Sequence, residues 1–422
     1  MRIAVVGAGI AGLVAARLLA KDHELTVFEA NDYPGGHTHT VDVQLDGQHY
    51  AIDTGFIVFN DRTYPNFIHL LSELGVTAQP TSMSFSVTDA RSGLEYCGSS
   101  LNGLFAQRRN LVRPSFYRLI AEILRFNRQA LSLTEPLDDA LTVGEFLAQH
   151  RYSPLFAESY LLPMGAAIWS CPLGKFADFP IAFVIEFYRN HGLLELRNRP
   201  TWQVIQGGSR TYVERIIAGL GPSLRLSTPV QHVRRTDSGV EVQPTTGPAE
   251  HFDHIVFACH SDQALRILGA HATSTERELL SSFPYERNRA VLHTDATLLP
   301  RSRRAWASWN YHVGIGEVSR LPVDVTYNIS LLQGLPGPHT FCVTLNASRS
   351  INPAKILGEY SYEHPVFTVQ RAASQRRHRE LLNAQRSSFC GAYWGNGFHE
   401  DGVNSALAVV AALRSAVHSV PS

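Results

Sequence analysis

The residues best placed to do chemistry lie within the first thirty positions. Val5-Val6-Gly7-Ala8-Gly9-Ile10-Ala11-Gly12 spells G-x-G-x-x-G directly after the apolar run Arg2 to Val6. It opens a stretch, Ile10 to Ala20, with helical apolar spacing. Gly7 permits a tight turn, Gly9 lets a pyrophosphate approach the backbone, and Gly12 lets the helix pack close to the strand. The helix N-terminus offers free N–H groups and partial positive charge to phosphates. Ala8, Ile10 and Ala11 complete the turn and are read as contact positions beside the glycines. Glu29 ends the next strand-like run, 17 residues after Gly12. A carboxylate there accepts hydrogen bonds from ribose hydroxyls and disfavours a 2′-phosphate, so NADP is not expected. Strand, turn, helix, strand and acid fall in order. They predict a dinucleotide site but leave FAD and NAD both open.

Other candidates are less specific. His37 and His39 form an H-x-H pair, but no further ligand has metal spacing, so no metal is expected. His37 reads either as a cofactor contact or as a structural hydrogen-bonding group. Phe179, Phe183 and Phe187, with Val184 and Tyr188, share one helical stripe. Such a stripe is a core face, or else an acyl-chain tunnel or membrane-facing entrance. Tyr393, Trp394, Phe398 and His399 crowd a glycine-rich turn, as an aromatic wall or as packing of that turn.

The elements that must position these residues are scattered. The chain has 422 residues, which suggests two or three domains. Lys+Arg and Asp+Glu both number 37, so no basic excess points to nucleic acid. The five cysteines show no C-x-x-C spacing and read as free thiols of a reducing compartment. No apolar run is long enough to span a bilayer or to serve as a signal peptide, so a soluble cytoplasmic protein is expected. Leu45 to Asn60 reads as strand-rich. Residues 63–199 read mainly as helical, including Tyr64–Leu74, Phe116–Leu131 and Phe179–Tyr188. Gln206-Gly207-Gly208 leads into the helix Tyr212–Leu220, and Ile255–Ala258 reads as a buried strand. Residues 265–385 look mixed, with strands expected at Val323–Ser330 and Thr340–Asn346. Ser388–Ala392 reads as a strand entering a turn, and Gly402–His418 as a closing helix. The expected fold class is α/β. A discontinuous Rossmann-like domain comprises 1–62, 203–265 and 386–422, and an inserted α+β substrate domain comprises 63–202 and 266–385.

Ala30-Asn31-Asp32-Tyr33-Pro34-Gly35-Gly36-His37 resembles the continuation of the glycine motif in flavoproteins of the amine oxidase and phytoene desaturase superfamily. His37 and Thr38 stand where many members carry an arginine. The resemblance implies FAD and an amine-oxidase-like two-domain architecture. It implies cofactor contacts at Ala30, Gly35, Gly36, His37 and Thr38. Asp53-Thr54-Gly55-Phe56 resembles the strand beside the isoalloxazine, which implicates Gly55 and Phe56. Pro229-Val230 resembles the position whose backbone meets the adenine, and Ala258 closes the middle strand of the same unit. Phe389-Cys390-Gly391 and Gly397-Phe398-His399-Glu400-Asp401-Gly402-Val403 resemble the C-terminal flavin signature. That signature implicates Gly391, Asp401 in preference to Glu400, Gly402 and Val403.

A narrower resemblance rests on Gly35-Gly36-His37-Thr38-His39-Thr40 and on Asp53 to Asn60. It is to the NAD/FAD-binding group associated with cyclopropane-fatty-acid-synthase-type methyltransferases. It implies a lipid substrate and a lipid methyltransferase partner, and the Phe179–Tyr188 stripe adds a peripheral membrane contact as the alternative. Flavin carries the redox step, so no acid–base pair is required. Lys355, by resemblance to the amine-oxidase lysine, and Tyr393, Trp394 and His399 are the catalytic candidates. The expected activity is removal of hydride from an apolar, fatty-acyl or lipid, small molecule. The alternatives are an amine oxidase, a flavin-dependent lipid isomerase, and a flavoprotein partner of a lipid methyltransferase without turnover.

Overall fold

Arg2–Val6 carries four consecutive buried residues, as a parallel strand covered on both faces must. It is the centre of a five-stranded parallel sheet in the order Leu224–Arg225, Glu24–Phe28, Arg2–Val6, His254–Phe257, Ser387–Phe389. The strands are paired in register, for example Val6 with both Phe28 and Phe257. The computed structural model describes residues 1–133, 138, 140–195, 197–316, 323–368 and 370–418. The expected domain spans also include 134–137, 139, 196, 317–322, 369 and 419–422, which lie outside the described residues.

Alternation along these strands feeds two cores. Ile3, Val5, Val27 and Val256 point to one face, where the helices Ile10–Leu19, Arg210–Ala218 and His399–His418 pack. Ala4, Val6, Phe28 and Phe257 point to the other. There they meet a three-stranded antiparallel sheet, Val230–Arg235, Val240–Pro244 and Glu250–Phe252. The helix Pro65–Glu73 also belongs to the first core, through Phe67, Leu70 and Leu71. This helix packs on the last helix, so residues 65–73 share the core of the five-stranded sheet.

The remaining chain builds a seven-stranded sheet in the order Ile356–Pro365, Tyr285–His293, Cys342–Leu345, Val325–Asn328, Trp309–Val313, Phe85–Asp89, Leu94–Cys97. Helices Pro114–Ser132, Val143–Gln149, Leu162–Trp169 and Ile181–Asn190 share its core. Trp202–Ile205 pairs with both Phe59–Asn60 and Ala78–Pro80 and so ties the two layers together. Among the described residues no helix is long and apolar enough to cross a membrane.

Two sequence expectations need correction. Residues 63–199 contain strands at 78–80, 85–89 and 94–97 as well as helices. Their partners are remote: Ser86 bonds to Asn310 across a separation of 224 residues, which no local pattern reveals. Val323–Ser330 is not one strand. Asn328 accepts from the Leu331 N–H and caps a short helix, Ile329–Gln333. The stripe at Phe179, Val184, Phe187 and Tyr188 is a core face, each residue under 5% exposed, as the first of its two readings had it.

Candidate cofactor and substrate site

The glycine turn is built as its spacing requires. Gly7 sits at φ +104° and donates to the Phe28 carbonyl at 2.8 Å. A Cβ on Gly12 would lie 1.9 Å from the Gly7 carbonyl oxygen. Helix and turn therefore touch backbone to backbone. Gly9 has open space around its Cβ direction, with nothing within 4 Å. Gly35 donates its N–H to the Ala8 carbonyl at 2.8 Å, and a Cβ on Gly36 (φ +60°) would approach Gly9 Cα to 3.2 Å. Ala258 flanks the same turn, its carbonyl oxygen 2.9 Å from where a Gly7 Cβ would be. Glu29 is buried, and its carboxylate accepts from the Ala8 N–H at 2.7 Å and the Asn31 N–H at 2.9 Å.

A second strip of chain runs beside this turn. A Cβ on Gly55 would stand 2.1 Å from the His37 carbonyl oxygen, and the Phe56 N–H donates to that oxygen at 2.7 Å. Thr38 is buried and shares hydrogen bonds with the Tyr212 hydroxyl and with His399 Nε2. The His399 ring stacks on Phe56, centroids 3.5 Å apart, and burial lowers its pKa to about 3. His399 is thus a neutral clamp between three segments. Burial, with His364 and His260 nearby, also holds His37 well below the usual histidine range. Its buried Nε2 finds no hydrogen-bond partner among the described residues.

Asp53, fully buried, accepts from Thr40 Oγ1 at 2.6 Å, Ser209 Oγ at 2.8 Å and the Ser209 N–H at 2.9 Å. It pins the start of the helix Arg210–Ala218 to the strand Thr40–Leu45. Nothing in the pattern around Ser209 or Tyr212 advertised these roles.

The C-terminal turn completes the arrangement. The Gly391 N–H donates to Ser405 Oγ at 2.9 Å. Glu400 accepts from the N–H groups of Asn66 and Phe67 at 3.0 and 2.8 Å and so caps the helix Pro65–Glu73. Asp401 Oδ2 accepts from the Phe398 N–H at 2.9 Å, and a Cβ on Gly395 would fall 2.2 Å from Oδ1. Gly402 packs the last helix against Ile10, and Val403 is buried beside it. Val230 begins the antiparallel sheet, and Ala30 follows Glu29 at the surface.

A cavity of about 360 Å³ opens beside this turn, lined by Tyr64, Asn190, His191, Asn396, Phe398 and Asp401 among others. Behind Phe398 the rings are continuous. Phe187 stacks on Phe398 at 5.1 Å, and Trp169 lies 4.8 Å from Phe187 and 5.2 Å from Phe183.

Three catalytic candidates fall elsewhere. Lys355 is surface-exposed and pairs with Asp295 at 3.6 Å. Tyr393 and Trp394 turn into the opposite core, against Phe283 at 5.1 and 5.3 Å, with Trp394 stacked on His378. They pack the sheet and do not line the cavity.

The model of the family described as flavin containing amine oxidoreductase matches residues 10–297. The chain belongs to that family. Its cofactor is therefore FAD. Curated relatives include a putative flavin-containing monoamine oxidase of Mycobacterium tuberculosis, 28% identical over 264 residues, covering 59% of this chain and 54% of the relative. An L-amino acid dehydrogenase of Synechocystis is 26% identical over 251 residues, covering 58% and 52%. The chain thus spans about half the length of the curated relatives it matches. Among solved structures, a putative protoporphyrinogen oxidase from Exiguobacterium has TM-score 0.70 at 17% identity, covering 98% of this chain and 99% of that one. A fatty acid isomerase from P. acnes has TM-score 0.68 at 16% identity, covering 97% and 98%. These likenesses establish the two-domain amine-oxidase-like fold.

The cradle fits FAD on its own terms. Open space at Gly9 faces a helix N-terminus, and the buried His37 nitrogen lacks a partner. Asp401 provides a test of the C-terminal turn. Burial raises its pKa to about 6 from 3.8. A carboxyl that holds its proton more tightly when folded adds stability at low pH, and loses it as pH rises through the folded value. Unfolding free energy of the wild type minus that of Asp401→Asn is expected to fall by about 2–3 kcal/mol between pH ~4 and ~7. Denaturant titrations across that range measure it, and a flat or rising difference would refute the shift.

Proposed function

We propose that this chain is an FAD-dependent oxidoreductase that takes hydride from an apolar substrate, a fatty-acyl or related lipid, leaving a double bond. The observation that carries this reading is Phe398, which lines the cavity beside the C-terminal turn and is backed by the buried ring series Phe187, Trp169 and Phe183. All three lysines, Lys21, Lys175 and Lys355, are surface-exposed, so no lysine reaches those rings.

Bound FAD supplies the hydride acceptor. The chain's residues bind and orient. Gly7, Ala8, Gly9, Ile10, Ala11 and Gly12 present the helix N-terminus to the pyrophosphate. Glu29 takes the ribose hydroxyls, with Ala30 beside it. Gly35, Gly36, Gly55 and Phe56 let the backbone pass close to the ring system. Neutral His37 offers its free Nε2, and Thr38 is held by Tyr212 and His399. Val230 and Ala258 serve the adenosine end, and Gly391, Asp401, Gly402 and Val403 the ribityl end. On this reading the cofactor part comprises 1–73, 203–265 and 386–418. The enzyme works in the cytoplasm on membrane-derived lipid, beside the methyltransferase that the narrower resemblance implies.

Anaerobic mixing of the purified yellow protein with fatty acids and with alkylamines tests the proposal. A fatty acid is expected to bleach the visible flavin absorption, and amines to leave it intact. Bleaching by amines alone would favour a second reading, amine oxidation. That reading draws on the 28% identity to the putative flavin-containing monoamine oxidase. Product without net bleaching would indicate isomerisation.

A further inference from the structure

Arg371 is the only buried arginine among the described residues, 6% exposed. Its guanidinium carbon lies 3.9 Å from the Phe183 ring centroid and 4.2 Å from that of Phe367. The flat cation is held between two rings. Nη1 is buried and has no hydrogen-bond partner among the described residues. Asp401 and Glu186 act on it through space only. Burial lowers its pKa to about 10, so it stays charged at neutral pH.

A buried guanidinium without a hydrogen-bonded anion is costly, and ring faces and the more distant carboxylates recover only part of that cost. The position of Arg371 suggests what recovers the rest. Its short helix, Arg371–Arg376, is tied to the C-terminal turn: Gln375 Nε2 donates to the carbonyls of Tyr393 and Gly395 at 2.7 and 2.6 Å. Phe367 stands 3.0 Å from where a Gly397 Cβ would be. From Phe183 the aromatic series runs through Trp169 and Phe187 to Phe398, which lines the cavity. A guanidinium at one end of an apolar wall matches a carboxylate on an aliphatic chain, because its fork of N–H groups binds two oxygens at once.

We infer that Arg371 anchors the carboxylate of the substrate at the aromatic wall beside the cofactor. The substrate is thus a free acid with a long apolar tail. This rests on the reading that an apolar substrate is held next to FAD. Esters lack the anion, and ammonium groups are repelled by the guanidinium.

The test titrates FAD-loaded wild type, Arg371→Met and Arg371→Lys with oleate, methyl oleate and oleylamine, following perturbation of the flavin's visible spectrum. Wild type is expected to bind oleate at least about tenfold more tightly than methyl oleate. Arg371→Met is expected to weaken oleate by at least about tenfold and to leave methyl oleate within about twofold. Arg371→Lys restores part of the loss, since it returns the charge without the fork. Equal weakening of acid and ester would make Arg371 a packing residue and overturn the inference. Loss of FAD or an altered resting spectrum in Arg371→Met would assign the guanidinium to the cofactor and overturn it too. If Arg371→Met fails to fold, the wild-type preference for oleate over its ester, and the lysine variant, decide the matter. A wild type that holds no FAD defeats the function itself. A wild type that holds FAD without preferring the acid defeats only the carboxylate anchor.

Discussion

Gly12→Val is expected to lose most of its thermal stability and all of its FAD, whereas Gly9→Ala keeps the stability and loses only the cofactor. The two glycines lie in one turn but meet different surroundings. At Gly12 a Cβ would stand 1.9 Å from the Gly7 carbonyl oxygen and 3.1 Å from Ala258 Cβ. Neither neighbour is the tip of a flexible side chain. The helix Ile10–Leu19 would have to move outward, and its other side is already packed on the last helix, where Gly402 meets Ile10. Overpacking of this kind costs about 1–3 kcal/mol or more, here with loss of the strand-to-helix geometry as well. At Gly9 the backbone is extended, φ −72° and ψ −179°, which alanine adopts freely. With no protein atom within 4 Å of its Cβ, Gly9→Ala should unfold within about 1 kcal/mol of wild type in the apo form. The added methyl then occupies the approach of the pyrophosphate. Thermal unfolding of the apo proteins, with the ratio of bound flavin to protein, separates the effects. Equal loss of stability in both variants, or a stable Gly12→Val that holds FAD, would refute this account.

Why the turn could be read from sequence, and much else could not, follows from the range of the interactions. Gly7, Gly9, Gly12 and Glu29 act within one βαβ unit, and local spacing encodes them. The α/β class followed from the same apolar runs, because strands buried on both faces read as continuous hydrophobic segments. Helix Pro114–Ser132 was legible for a similar reason, its periodicity being sustained over 19 residues. Phe85–Asp89 was not, since a five-residue strand gains its identity from Trp309–Val313, far along the chain. The last helix begins at His399, not Gly402, because His399 is held by Thr38 and Tyr212, and Glu400 by the backbone of Asn66 and Phe67. Tyr393 and Trp394 were misread for a different reason. Residue type marks an aromatic wall but not which face of a sheet it turns toward. Arg371 left no signal at all, as one arginine among many in an arginine-rich stretch, and only its burial sets it apart.

Glu29→Ala is expected to weaken FAD binding by at least about a hundredfold, and to cost the apo protein about 2–4 kcal/mol. The stability loss comes from the loop. Both carboxylate oxygens accept backbone N–H groups, from Ala8 at 2.7 Å and from Asn31 at 2.9 Å. The Ala8 carbonyl in turn holds the Gly35 N–H at 2.8 Å, so the first glycine turn and the second are coupled through one residue. Alanine leaves the buried Ala8 N–H without an acceptor, at about 1–3 kcal/mol before relaxation, and the part-buried Asn31 N–H without one at a smaller cost. The affinity loss has a further source, the charge-assisted bonds from Glu29 to the ribose hydroxyls, each about 1.5–3 kcal/mol. Glu29→Gln separates the two. It retains the volume and one accepting oxygen, so it should recover part of the stability, but its NH₂ faces a donor and its charge is gone. FAD affinity should then remain well below wild type while the unfolding temperature rises toward it. Calorimetric titration of the apo proteins with FAD, alongside thermal unfolding, gives both quantities. If Glu29→Ala binds FAD as tightly as wild type while unfolding more easily, the carboxylate serves the loop alone and the ribose contact is wrong.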